Sequence, residues 1–321
     1  MPTSPARRET PAEPKTEAPP ELRLERRAYE RDVHRTGMAE LSPVLKLVAA
    51  SAAALDAFAP TIATELMLRH FTRPRRKPRG DYFQSMPAGA VRLAIAHEDI
   101  ELVGWEWGSV GPKVLLVHGW EDNSGSMLGF VTPLLSLGYR VAVVDMPGHG
   151  LSPMRGTHLV DASIALAATV RELGPIESII AHSFGAAAVC RMVAEQPQLM
   201  PRRMALISPM QNFAQHLSIF ADIARLSKSR VDRLRDRVER MIDGPVDAVC
   251  SMPAIRSLDL PGLVIHDLHD PVIAHSVGAR LAEEWRGARF VSTANLGHRR
   301  ILRCPRVLEE LMRHHRAPNS G

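Results

Sequence analysis

Short, unbroken apolar runs recur through the middle and C-terminal parts of the chain. They are Lys113–Gly119, Tyr139–Asp145, Glu177–His182, Arg203–Ser208, Gly262–His266 and Arg289–Ser292. Val/Ile/Leu runs of this length predict strands buried on both faces, and so a parallel sheet covered by helices. Apolar residues at helical spacing lie between them, over Met127–Leu137, Leu159–Leu173, Phe184–Glu195, Ser276–Trp285 and Pro305–His315. This alternation predicts a doubly wound, mostly parallel α/β domain with helices on both faces. Val91–Trp107 has strand character interrupted by charges, which suits an antiparallel hairpin at a sheet edge.

One interval breaks the alternation. Between Ser208 and Gly262, Phe213, Leu217, Phe220, Ile223 and Ala224 share one helical face, and Val231, Leu234, Val238 and Met241 share another. An insertion after a strand's C-terminal end lies over the edge where ligands bind in open α/β sheets. Residues 209–255 are therefore expected to form a small helical cap, with ordinary crossover helices as the alternative. If they are a lid, part of the apolar surface of Phe213, Leu217 and Phe220 and of Leu234, Val238 and Met241 should meet the main domain, and part should wall an apolar pocket suited to a neutral ester of small to medium acyl length.

Before this domain the pattern changes. Residues 1–40 are rich in Pro, Glu and Arg, which predicts a disordered tail with at most a marginal helix near Leu22–Val33. From Leu41, helical spacing runs through Val48, Leu55 and Ile62 to Leu66, with Pro60 as a kink or break. Residues 41–80 read as this helix followed by the basic linker Arg73–Arg79. An amphipathic helix must bury its stripe, so it is expected to pack on the main domain.

Composition adds little to that picture. The 321 residues are 45% hydrophobic, enough for a full core, and the formal charge is +5. Much of that excess sits in the Arg73–Arg79 run, and no recognition motif accompanies it, so no nucleic-acid partner is expected. Lys46, Asp56 and Glu65 interrupt the apolar stretch Leu45–Leu68, which argues against a membrane span and leaves peripheral contact open. No secretory signal is visible, and Cys190, Cys250 and Cys304 form no CxxC pair. A reducing, cytoplasmic compartment is expected. No metal spacing or phosphate loop appears, so no cofactor is expected.

Candidate chemistry gathers at strand ends. Ala181-His182-Ser183-Phe184-Gly185 joins a buried strand to an Ala-rich helix through a turn of small residues. Such a turn lifts a serine hydroxyl off the sheet edge as a nucleophile, though an N-cap serine would look similar. His118-Gly119-Trp120 follows another strand and could aim the Trp120 amide at the same point. With the Phe184 amide it would form a two-donor oxyanion hole, or be a plain strand-ending turn. Asp270 follows the strand Gly262–His266, with Asp267 as its rival for the role of acid. His298 follows the last strand in a Gly-preceded loop. The order Ser, Asp, His along the chain is that of one class of triad hydrolases.

From about Val91 onward the chain resembles the α/β-hydrolase superfamily. The resemblance rests on VLLVHGW, VVDMPGHGLS, IIAHSFGAAAV, VIHDLHDPVI and LGHRRIL. It implies Ser183 as nucleophile, His298 as base, Asp270 as acid, and Trp120 and Phe184 as amide donors. It implies a structural role for Asp145 and His149. The elbow departs from the usual pattern in having Ala181 where glycine is common. The activity implied is hydrolysis of a small carboxylic ester through an acyl-enzyme. Thioesterase, carbon–carbon-bond hydrolase and acyltransferase activities share this triad, and a non-catalytic binding protein of the same fold is the alternative of another class. A serine at the elbow argues against epoxide hydrolases and haloalkane dehalogenases, which use a carboxylate there. Acyl specificity and oligomeric state have no signature in the sequence.

Overall fold

The structure is a computed structural model that describes residue 56 and residues 58–75, 86–153 and 156–316. The tail expected over residues 1–40 and the first part of the N-terminal helix lie outside the described residues, as does the end of the basic linker.

An eight-stranded sheet organises the chain. Its strands are β1 (Val91–His97), β2 (Ile100–Trp107), β3 (Lys113–Val117), β4 (Arg140–Val144), β5 (Ser178–His182), β6 (Arg203–Ile207), β7 (Gly262–Asp267) and β8 (Ala288–Thr293). The spatial order is β1-β2-β4-β3-β5-β6-β7-β8. The β1–β2 hairpin and the β2–β4 pair are antiparallel, and every other pairing is parallel. The hairpin is thus at the edge, as the charged interruptions predict. β3 to β7 carry the unbroken apolar runs because both faces are covered. Val114 and Leu116 join the core on one face, and Leu115 and Val117 join the core on the other.

Helices α1 (Pro60–Phe71), α2 (Val131–Ser136), α3 (Leu159–Leu173) and α4 (Phe184–Glu195) precede β6. After it come α5 (Phe213–Ala224), α6 (Lys228–Ile242) and α7 (Ser251–Ser257), then α8 (His275–Glu284), α9 (Gly297–Arg300) and α10 (Pro305–Arg316). Two elements differ from the sequence expectation. Met127–Leu137 is a 3-10 segment, Ser124–Phe130, followed by the short α2, not one helix. His298, expected in a loop, lies in the helical turn α9. As expected, the helix breaks at Pro60: Asp56 is helical, Phe58 and Ala59 are not, and Pro60 opens α1 at its first position, where its missing N–H costs nothing.

From β3 the chain winds first to β4 on one side and then to β5 on the other. This leaves a switch point between β3 and β5, where ligands bind in open α/β sheets. Helices α5 to α7 follow the C-terminal end of β6, on that side of the sheet. α1 docks against them. Phe71 of α1 is buried, with its ring 5.7 Å from Phe213 and 5.3 Å from Phe220. Arg230 pairs with Asp56 at 3.1 Å, and Arg233 and Arg237 reach Asp56 and Glu65. No helix among the described residues is long and apolar enough to cross a membrane.

Candidate active site

Ser183 sits between β5 and α4 with φ 53° and ψ −119°. A non-glycine residue adopts this strained conformation only when its surroundings enforce it. Here the Ser183 amide donates to Ile207 O at 3.0 Å on β6, and its carbonyl accepts from the Ala186 and Met210 amides. Gly185 is required by proximity: a Cβ there would lie 2.3 Å from the carbonyl oxygen of His118 and 2.8 Å from Val117. The elbow and the β3 turn are thus packed backbone against backbone.

The structure brings Ser183, His298 and Asp270 into one line. Ser183 Oγ lies 2.9 Å from His298 Nε2, and His298 Nδ1 lies 2.7 Å from Asp270 Oδ2. The geometry suits the tautomer in which Nδ1–H donates to the carboxylate and Nε2 accepts from the hydroxyl. The second Asp270 oxygen accepts from the Val272 and Ile273 amides at 2.9 and 3.0 Å. Burial alone would raise the Asp270 carboxyl. The imidazoles of His266 and His298 and the Ile273 amide outweigh it and hold the group well below the usual carboxylate range.

Asp267 has a different set of partners. Its oxygens accept from Thr293 Oγ1 at 2.7 Å, from the Leu296 and Gly297 amides at 3.1 Å each, and from the His269 amide at 3.0 Å. It ties the end of β7 to the segment that carries His298. Burial would raise this carboxyl too, but the Thr293 hydroxyl and the three amides hold it low. Sequence reasoning weighed Asp267 only as a rival acid and missed this bracing. The available signal was its place as the last residue of β7.

The backbone amides of Trp120 and Phe184 have no hydrogen-bond partner among the described residues. Their rings lie 5.1 Å apart. Two histidines fix the turn that carries Trp120. His118 Nδ1 donates to Gly119 O at 2.8 Å, and its Nε2 accepts from the Met146 amide at 3.1 Å. His149 Nδ1 donates to Pro147 O at 2.9 Å, and its Nε2 accepts from the Glu121 amide at 3.1 Å. Burial pushes the His149 imidazole down to about 3. Asp145 accepts from Ser124 N and Oγ at 2.7 Å each and from Leu151 N at 2.8 Å. Behind the elbow, His182 Nε2 donates to the carbonyl of His298 at 2.9 Å.

Ser183, His298, Trp120 and Phe184 all line one cavity of about 500 Å³. Met210, Ile219, Phe220 and Ile223 wall it from the β6–β7 insertion. The apolar face of α5 is divided between the core and the cavity. Phe220 reaches the cavity, whereas Phe213 and Leu217 are buried in the core, Phe213 against Phe71 of the docked helix. That helix could not be weighed when α5 was read alone. Outside this cavity, His97, Glu98 and Asp161 bring ligand atoms within 4.8 Å of one another, and His97 Nε2 already meets Asp161 Oδ1 at 3.1 Å.

A mostly parallel sheet with a strained serine at the β5–α4 turn and a buried histidine–carboxylate pair beside it defines the α/β-hydrolase class. The model of the alpha/beta hydrolase family matches residues 114–311. The chain belongs to that family. A serine hydrolase-like protein of Danio rerio is 35% identical over 144 residues, 42% of this chain and 40% of that protein. A pimeloyl acyl-carrier-protein methyl ester esterase of Aeromonas hydrophila is 24% identical over 242 residues, 64% of this chain and 95% of that protein. The chain covers less than half the length of the first of these relatives. In fold, it superposes on a membrane phospholipase A with a TM-score of 0.55 at 16% identity, covering 84% of this chain and 95% of the other. It superposes on a thermophilic esterase from Thermogutta terrifontis with a TM-score of 0.54 at 18% identity, covering 71% and 98%.

Proposed function

We propose that the chain is a serine hydrolase that cleaves a carboxylic ester through an acyl-enzyme. One observation carries the reading: the continuous pair of hydrogen bonds from Ser183 Oγ to His298 Nε2 and from His298 Nδ1 to Asp270 Oδ2. In this reading Ser183 Oγ attacks the ester carbonyl while His298 Nε2 takes its proton. Asp270 stays ionised, holds the imidazole's tautomer and stabilises the imidazolium. The Trp120 and Phe184 amides donate to the oxyanion in a buried site, where such donors act most strongly. His298 then protonates the departing alcohol, and water repeats the attack on the acyl-serine.

Residues 209–255 serve as the cap in this account, with Phe220 and Ile223 facing the acyl chain. The esterase names of the relatives support ester over other acyl bonds. Cys190, Cys250 and Cys304 are all unpaired, which supports a reducing, cytoplasmic setting. Labelling with a serine-directed fluorophosphonate, together with hydrolysis of p-nitrophenyl esters of graded length, tests the proposal. Labelling is expected at Ser183, and Ser183→Ala is expected to lose about three to six orders of magnitude in turnover while keeping its fold. Equal turnover by Ser183→Ala and the parent would remove Ser183 as the nucleophile.

A further inference from the structure

The cavity is apolar inside and basic at its mouth. Its walls are the aliphatic and aromatic side chains of α5 and the β8–α9 segment, while its lining also includes Arg73, Arg75, Arg299 and Arg300. One carboxylate, Glu121, lines it with them. Glu121 is already engaged: Arg75 Nε and Nη2 donate to its two oxygens at 2.8 and 2.6 Å. Arg73 and Arg299 are exposed and pair with no carboxylate among the described residues. Arg300 donates only to the carbonyls of Leu296 and Asn295, at 2.9 and 3.1 Å, so its charge is not neutralised there. Three positive charges therefore line the cavity with no carboxylate partner among the described residues. Low-dielectric walls around like charges focus their field into the cleft. His70, at the same mouth, registers it: burial first, and then the charges of Arg69 and Arg73, push its imidazole below the ordinary value.

We propose that this collar selects substrates whose acyl chain carries an oxyanion, a carboxylate or a phosphate, at the end remote from the scissile ester. The inference rests on the ester-hydrolase reading of the same site and adds a charge to the apolar chain that the cap walls accommodate. The chain lies along Phe220, Ile223 and Leu296, and the oxyanion meets the guanidinium groups of Arg73 and Arg299. Guanidinium forks pair well with both kinds of oxyanion.

The test compares kcat/KM for methyl octanoate, monomethyl suberate and methyl 8-phosphonooxyoctanoate, which differ only at the remote end. The parent is expected to prefer one or both anionic esters by about tenfold, a preference that fades between about 0.02 and 0.5 M NaCl. The comparison of carboxylate with phosphate identifies the oxyanion. In the double variant Arg73→Gln, Arg299→Gln the ratio of anionic to neutral ester should fall towards one. Equal ratios in parent and variant, or a parallel loss on all three esters, would overturn the collar and leave the ester reading standing. A preference that appears only with neutral ester in phosphatidylglycerol vesicles would assign the charges to a lipid surface and overturn the collar as well. Hydrolysis of none of the esters would count against the ester reading. The collar is then read from calorimetric titration of Ser183→Ala with monomethyl suberate: binding weakened about tenfold by the two Gln substitutions supports it, and equal binding overturns it.

Discussion

His216 provides a direct test of how the β6–β7 insertion is held. It lies on α5 with its ring 4.6 Å from Trp120, 4.9 Å from Phe71 and 5.2 Å from Phe184. Its Nδ1 is buried with no hydrogen-bond partner among the described residues. Burial pushes the imidazole from 6.5 down to about 3. The sign of the linkage follows. Below 6.5 the unfolded chain binds a proton at His216 that the folded chain refuses, so stability is complete above 6.5 and is lost as pH falls towards 3. From about pH 7.5 to about pH 5 one such group costs about 2 kcal/mol. Replacing the ring by phenyl removes that dependence and the unsatisfied nitrogen, whose burial costs about 1–3 kcal/mol at any pH. Phenylalanine also suits a cage already built from aromatic rings.

His216→Phe is therefore expected to exceed the parent by about 1–3 kcal/mol near pH 7.5 and by about 2 kcal/mol more near pH 5. Urea unfolding followed by tryptophan fluorescence across that range measures both terms. Parallel pH curves for parent and variant would refute the argument, because they would mean that His216 is not held neutral in the fold. The parent itself should be acid-sensitive. His149, His182 and His314 are also pushed to about 3 and His315 to about 4, each by burial first. Five such groups cost up to about 10 kcal/mol by about pH 5, comparable to the whole stability of a domain.

The remaining predictions separate residues that lie close together. Asp270→Asn should lower kcat by about four orders of magnitude, because the imidazole loses the acceptor that sets its tautomer; Asp267→Asn should lower stability by about 1–3 kcal/mol with a far smaller fall in kcat, and the reverse ranking would exchange their roles. Phe220→Ala should shift the chain-length profile of ester hydrolysis, whereas Phe213→Ala should cost about 3–5 kcal/mol in denaturant unfolding and leave the profile's shape alone. Gly185→Ala places a methyl 2.3 Å from the His118 carbonyl and should impair both solubility and turnover, while Gly244→Ala, which meets nothing within 4 Å, should be silent in both assays.

Much of the sheet was legible because burial on both faces writes an unbroken apolar run into each central strand. The order of Ser183, Asp270 and His298 was readable for a related reason: Ser183 follows directly on β5, and Asp270 and His298 lie in the short segments that follow β7 and β8. What the sequence did not reveal depends on contacts between distant segments. Asp267 and Asp270 differ by three positions, and only the placement of Thr293 and the Gly297 amide makes one a brace for the segment that the other's partner occupies. The helical spacing of α5 put Phe213 and Phe220 on one face correctly, but α1, some 140 residues earlier, decides which of them is core. The basic mouth is likewise assembled from Arg73 and Arg299, which no local pattern connects.

Fourteen histidines obscure the one that meets the serine, and the structure gives a physical reason for their number. A neutral imidazole carries a donor and an acceptor on opposite sides of a rigid ring, so it can join a carbonyl in one segment to an amide or hydroxyl in another. His118 and His149 do this between the β3 turn and the turn after β4. His315 does it between Leu311 O and Ser178 Oγ, at 2.7 and 2.9 Å. His182 and His266 each hold one carbonyl, of His298 and Ile273. Each two-sided strut works only while its ring is neutral, since a protonated ring cannot accept. For His149 and His315, which burial pushes down to about 3 and about 4, that failure comes only in acid. His149 braces the turn that carries Trp120, so acid that unfolds the protein also loosens one wall of the cavity.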